Sequence, residues 1–80
     1  MKQVIIYTQP TCPPCHAEKL WLQENGIQFE DRDIRKDDRY LQELISLGAA
    51  ATPATVIKDE NGEEVVMGFD QAKLAELLGL

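Results

Sequence analysis

Val4-Ile5-Ile6-Tyr7-Thr8-Gln9-Pro10-Thr11-Cys12-Pro13-Pro14-Cys15 runs from an apolar segment through a break into a closely spaced cysteine pair. Its first half, opening at Gln3, is a near-continuous apolar, β-branched run, the composition of a strand buried on both faces. Gln9-Pro10-Thr11 breaks that strand. A helical pattern follows Cys12, with Cys15, Leu20 and Leu22 around Trp21, and Asn25-Gly26 stops it as a left-handed cap does. The two cysteines therefore lie where the first strand turns into the first helix. Cys12 precedes a proline, which pushes its backbone out of the α region and suits an N-cap. Proline before the second cysteine fits the first helical turn, where its missing N–H would have had no intrahelical partner.

Outward from this unit the chain alternates again. Ile27-Gln28-Phe29-Glu30-Asp31-Arg32-Asp33-Ile34 opens with apolar and polar residues in turn, as in an outer strand with one wet face. Asp37 or Asp38 starts a second helix carrying Leu41, Leu44, Ile45 and Leu47, ended by Gly48. Ala54-Thr55-Val56-Ile57 and Glu64-Val65-Val66-Met67 flank Asn61-Gly62, a strong hairpin signal. A strict two-residue loop at Asn61-Gly62 would set Asp59 opposite Glu64 and Glu60 opposite Glu63, so a looser loop or a frayed end is expected. Asp70 caps a last helix with Leu74, Leu77 and Leu78 inward. The order is βαβαββα. A parallel βαβ unit, joined by an antiparallel hairpin and covered by helices on both faces, makes a three-layer α/β domain.

Length and charge bound the function. At roughly 100–200 residues per domain, the 80 residues form one domain, 1–80. Eight basic against fourteen acidic side chains give a net charge of −6, which argues against nucleic acid or an anionic membrane surface as partner. Arg32, Arg35, Lys36 and Arg39 are matched by Asp31, Asp33, Asp37 and Asp38, so this stretch reads as a solvated turn and helix start. Asp59, Glu60, Glu63 and Glu64 read as a solubilising hairpin tip. No apolar run reaches the length of a membrane span, and neither an h-region nor a cleavage site precedes the first strand. A cytoplasmic location is expected. In that reducing compartment a C-x-x-C pair points to catalysis or metal binding before structural stapling.

The chemistry of the pair follows from its place. Only a thiolate is a useful nucleophile, and the unpaired N–H groups and partial positive charge of a helix N-terminus favour one on Cys12. Two intervening helical residues bring the sulfurs within bridging reach. The competing use of the pair is a zinc half-site. Zinc takes four ligands, and His16 directly follows Cys15 rather than standing one turn away. A dimer pooling two pairs could still hold zinc or an iron–sulfur cluster. His16 reads as an exposed helical residue with a thiolate-tuning role as the alternative. Trp21 reads as core or a half-buried anchor.

Val4-Ile5-Ile6-Tyr7-Thr8, Cys12-Pro13-Pro14-Cys15, Asp33-Ile34, Thr52-Pro53 and Gly68-Phe69-Asp70, in that order, resemble a glutaredoxin over nearly the whole chain. The resemblance implies a thioredoxin-like fold with a four-stranded mixed sheet in the order 2-1-3-4. It also implies a cis Pro53 against the cysteine pair, with the Thr52 backbone pairing with an extended substrate segment. Thr11, Pro13, Pro14, Gly68, Phe69 and Asp70 are the further substrate-binding positions it points to.

Departures narrow the branch. Thioredoxins place a buried acid six residues before the first cysteine and a tryptophan just before it, where this chain has Ile6 and Thr11. Glutathione-binding glutaredoxins usually carry a lysine shortly before the pair and two glycines before the aspartate motif. Gln9 and Met67 stand there. What remains is similar to the short redoxins that take electrons from thioredoxin reductase and serve ribonucleotide reductase, although their Arg-Pro after Gly-Phe is Asp70-Gln71 here. The function implied is a monomeric dithiol–disulfide oxidoreductase with no cofactor. It would act on disulfides in proteins, with thioredoxin reductase or glutathione as electron donor.

If Cys12 is the exposed thiolate, it is alkylated well before Cys15 at neutral pH, and Cys15→Ser traps a mixed disulfide with substrate. Mass mapping of the labelled peptides checks this. Preferential labelling of Cys15 would reverse the roles.

Overall fold

The computed structural model of the protein describes residues 2–80. β1 (Gln3–Thr8) is the central strand, with every residue from Val4 to Thr8 buried. Its alternating side chains feed two cores. Ile5 and Tyr7 join Leu44, Ala49, Ala54 and Val56 on one face, and Val4 joins Leu22, Ile57, Val66 and Leu74 on the other. α1 (Pro13–Glu24) and α3 (Gln71–Leu78) supply Leu22 and Leu74 to the second face, while α2 (Asp38–Ser46) supplies Leu44 to the first. The sheet order is β2-β1-β3-β4, with β2 (Glu30–Asp33) parallel to β1, and β3 (Ala54–Asp59) and β4 (Gly62–Met67) antiparallel. This is the mixed four-stranded sheet, in the order 2-1-3-4, that the sequence resemblance implies.

Two local expectations are corrected. β2 covers Glu30–Asp33 rather than the whole of 27–34. The Ile27 N–H is taken by the Leu22 carbonyl at 2.9 Å and that of Gly26 by Gln23 at 3.0 Å, closing the end of α1. Ile27 and Phe29 still point inward, against the α1–α3 core, but the ladder with β1 begins at Glu30. The hairpin also shifts by one residue. Its loop is Glu60-Asn61, which pairs Asp59 with Gly62 and Lys58 with Glu63. The like-charge pairs of an Asn61-Gly62 turn are thereby avoided, and Lys58 Nζ lies 3.8 Å from Glu63. The left-handed backbone falls on Gly62, at φ +130°. Leu20 of α1 and Ile45 of α2, both part of the apolar helical patterns, are more than half exposed.

The helix ends follow the residues expected to make them. Asp37 accepts from the Arg39 N–H at 2.9 Å and Asp70 from the Lys73 N–H at 3.1 Å. Each cap of this kind contributes about 1 kcal/mol. A network that no pattern announced joins β1, β2 and α2. Arg32 donates to Glu43 at 2.7 Å and to the Tyr7 hydroxyl at 3.2 Å, and its guanidinium lies 5.9 Å from the Tyr7 ring centre and 5.6 Å from that of Tyr40. It braces the face of the sheet away from α1. Among the described residues, no helix is long and apolar enough to cross a membrane.

Candidate active site

The site is built by the end of β1 and the start of α1. Cys12 is the N-cap, at φ −128° and ψ 94°, the extended backbone that a following proline imposes. Pro13 and Pro14 occupy the first two helical positions and offer no N–H. The first donor the helix presents is therefore Cys15, whose N–H lies 3.2 Å from Cys12 Sγ. The two sulfurs are joined in a disulfide with their Cα atoms 5.2 Å apart. Burial separates the partners. Cys15 is fully enclosed, while Cys12 keeps 7% of its surface and is flanked by the exposed Thr11, Pro13 and Pro14.

Long-range hydrogen bonds gather the other segments. The Thr52–Pro53 peptide is cis, as the resemblance implies. Gln9 Nε2 donates to Thr52 Oγ1 at 3.1 Å, tying the strand-to-helix turn to the proline loop. The Gly68 N–H donates to the Pro53 carbonyl at 2.8 Å, so the end of β4 is held to the same loop. Gly68 adopts φ +72°, a conformation glycine takes without steric cost. Phe69 is turned toward Trp21, with ring centres 6.0 Å apart, and both pack on the α1–α3 core. Asp70 is exposed, with its carboxylate engaged in the α3 cap. His16 is exposed and points back along the turn. Its Nε2 lies 3.0 Å from the Pro10 carbonyl, an acceptor only, so Nε2 carries the proton. Among the described residues, no group of three or more His, Cys, Asp and Glu is placed to hold a metal ion.

One residue of the site's interior was not singled out by its type or motif. Glu18, one turn past Cys15, is fully buried. Thr55 of β3 donates its hydroxyl to one carboxylate oxygen, and Oε1 has no hydrogen-bond partner. Burial pushes the carboxyl up from 4.5 to about 7, against the downward pull of the Thr55 hydroxyl. The signal available in the sequence was spacing. Cys15, Glu18 and Leu22 are the buried residues of α1, and they share one helical face.

Two predictions follow from this geometry. Position 14 lacks an N–H that could reach the Cys12 sulfur. Pro14→Tyr restores one, and a hydrogen bond to a thiolate lowers its pKa, by about one unit for a charge-assisted bond. A more stable thiolate also stabilises the reduced pair, so the variant becomes the stronger oxidant. Thiolate absorbance against pH, with redox equilibration alongside, checks both shifts. An unchanged or raised pKa would assign control of the thiol to the helix terminus.

The second concerns stability of the oxidised protein. Glu18 binds its proton more tightly folded than unfolded, so its contribution is full below pH 4.5 and is lost as pH rises through about 7. Glu30 beside Arg32 and Asp37 beside Arg39 are shifted the opposite way, below the ordinary range, and so lie outside this window. Glu18→Gln should remove this part of the pH dependence. In urea titrations the stability difference between the variant and the parent grows toward on the order of 3 kcal/mol above pH 8. A difference independent of pH would show that Glu18 does not change protonation on folding.

Comparisons with known proteins agree with this architecture. Residues 4–61 match the family model described as Glutaredoxin. The chain is 30% identical over 74 residues to "Glutaredoxin-like protein NrdH" of Lactococcus lactis, covering 92% of this chain and 97% of that one. Among solved structures, the thioredoxin-like protein BC3987 superposes with a TM-score of 0.83 at 38% identity, covering 94% of this chain and 99% of that one. The glutaredoxin-like NrdH-redoxin from Escherichia coli superposes with a TM-score of 0.82 at 24% identity, over 94% and 93%, a likeness of fold.

Proposed function

The chain belongs to the glutaredoxin family of thiol–disulfide oxidoreductases, and on that footing we propose that it is a dithiol electron carrier reducing disulfides in proteins. The observation that carries the proposal is the unequal burial of a bonded pair. Cys12, on a helix N-cap between exposed neighbours, keeps 7% of its surface, and Cys15 lies fully enclosed behind it. Reduced Cys12 attacks one sulfur of a substrate disulfide. A Cys12–substrate bond forms, and the first substrate thiolate leaves. Cys15 then attacks the Cys12 sulfur, the internal disulfide closes, and the second substrate thiolate departs with the bonding pair. The substrate gains two electrons and the pair loses them. Thr11, Pro13, Pro14, Thr52, Pro53 and Gly68 form the proposed docking rim, with the Thr52 backbone free to pair with an extended segment. Phe69 and Asp70 support it through core packing and the α3 cap. No cofactor enters the cycle, which runs in the cytoplasm in a monomer.

The electron donor we propose is thioredoxin reductase. An anionic tripeptide such as glutathione calls for a cation near the pair, and Gln9 is neutral and already donates to Thr52. Met67 is about half exposed where a glycine would leave room, and the Asp70 carboxylate is committed to the Lys73 N–H. The resemblance to the short redoxins makes ribonucleotide reductase one proposed acceptor.

The test is direct. The oxidised protein should be reduced rapidly by thioredoxin reductase with NADPH and slowly by glutathione alone, read as NADPH consumption and as free thiols. Rapid turnover in a glutathione-coupled assay with no response to thioredoxin reductase would sink the donor assignment. Stoichiometric zinc or a visible cluster chromophore in protein purified without chelator would instead favour a metal-holding module.

A further inference from the structure

Resolution sets a chemical problem that the cysteines do not solve by themselves. Cys15 must lose a proton before it can attack, yet it is fully buried and lies past the helix-cap position that favours a thiolate on Cys12. Burial in apolar surroundings raises a thiol pKa, so solvent is a poor acceptor here. Glu18 lies on the same helix face, and side chains three residues apart in a helix are about 5–6 Å apart at Cβ. Its Oε1 is buried without a hydrogen-bond partner. A half-satisfied carboxyl costs stability in such a place, where an aliphatic side chain would pack without penalty. That cost points to a role in chemistry.

We propose that Glu18 is the proton acceptor of the resolving thiol, taking the Cys15 proton as Cys15 attacks the mixed disulfide and returning it when the pair is reduced. The inference rests on the reading of Cys15 as the resolving cysteine. In the step, the Cys15 S–H bond breaks and a Glu18 O–H bond forms. The Cys15 electron pair makes the bond to Cys12 Sγ, and the Cys12–substrate bond breaks with its pair leaving on the substrate sulfur. Thr55, two residues past the cis Pro53, holds the other carboxylate oxygen and leaves Oε1 free. The carboxyl, raised to about 7, is poised near the pH at which a base must both accept and return a proton.

On the same helix face the buried residue one turn before Glu18 is Cys15. β1 turns Val4 and Ile6 to this face, with Thr8 donating to Asp31. β3 presents Thr55 and Ile57, and α3 presents Leu74. Among charged groups, Lys19 of α1 pairs with Asp31 of β2 at 2.8 Å, and Glu64 of β4 with Asp70 and Lys73 of α3 are exposed. Burial and the Thr55 hydroxyl are the causes that act on the Glu18 carboxyl.

The experiment mixes reduced protein with one equivalent of a symmetrical nitroaryl disulfide whose arylthiolate is yellow. The first arylthiolate reports attack by Cys12 and the second reports resolution by Cys15. In Glu18→Gln the first phase should be unchanged at pH 7 and the second slowed at least about tenfold. The parent's second phase should rise with an inflection near pH 7, and the variant's should move into the thiol range, about 8.5 or above. Thr55→Val removes the downward pull on the carboxyl and should move the inflection up while both phases persist, an independent reading should the glutamine variant misfold. A second phase with unaltered rate and inflection in both variants overturns the role of Glu18. A second phase that survives Cys15→Ser overturns the assignment of Cys15 itself, a separate failure.

Discussion

The sulfur of Cys12 occupies the place that a serine or aspartate oxygen holds in an ordinary helix cap, and the rest of the site depends on that substitution. A capping side chain must accept an N–H from the first helical turn. Pro13 and Pro14 remove the first two of these donors, leaving the Cys15 N–H on the Cys12 sulfur at 3.2 Å. With the disulfide closed, this bond caps α1. The helix and the sulfur are therefore tied together by one backbone group.

That cap is held in place by β1, which is buried on both sides and divides the molecule into two unlike halves. On the α2 side, Tyr7, Arg32 and Glu43 form a charged and aromatic brace that fixes the outer strand and the helix over it. On the other side, α1 and α3 lie over an apolar layer in which Glu18 is the buried charged residue. The asymmetry has a physical consequence. The brace pairs its charges, whereas Glu18 has one hydrogen-bond donor and no cation, which leaves its protonation free to vary near neutral pH.

The proline loop and the glycine turn join this centre through hydrogen bonds between distant parts of the chain. Gln9 holds Thr52, and Gly68 holds Pro53. The side chain at the position where glutathione-binding relatives carry a cation is thus used to fasten the loop. Phe69 and Asp70 face the core and the helix cap, where they fix the approach of α3.

Much of this was legible in the residues alone, because it depends on neighbours within one or two turns. The bounds of β1, the start of α1 at Cys12, the caps at Asp37 and Asp70, and the stops at Gly26 and Gly48 all follow from local backbone preferences and periodicity. The placement of the cysteine pair at the start of α1 follows from the same local logic. Other features required partners far along the chain. The hairpin register differs by one residue from an Asn61-Gly62 turn and sets Lys58 opposite Glu63 in place of two acid pairs. β2 begins only at Glu30, and the Ile27 N–H is bonded to the end of α1. Glu18 reads in the sequence as one more charged helical residue. Only the packing of α1 on β3, which brings it to Thr55 across 37 positions, encloses its carboxyl. Local sequence determined which backbone each segment adopts and where the sulfurs stand. Tertiary structure decided which polar groups lose their water, because desolvation depends on every element that closes over a side chain.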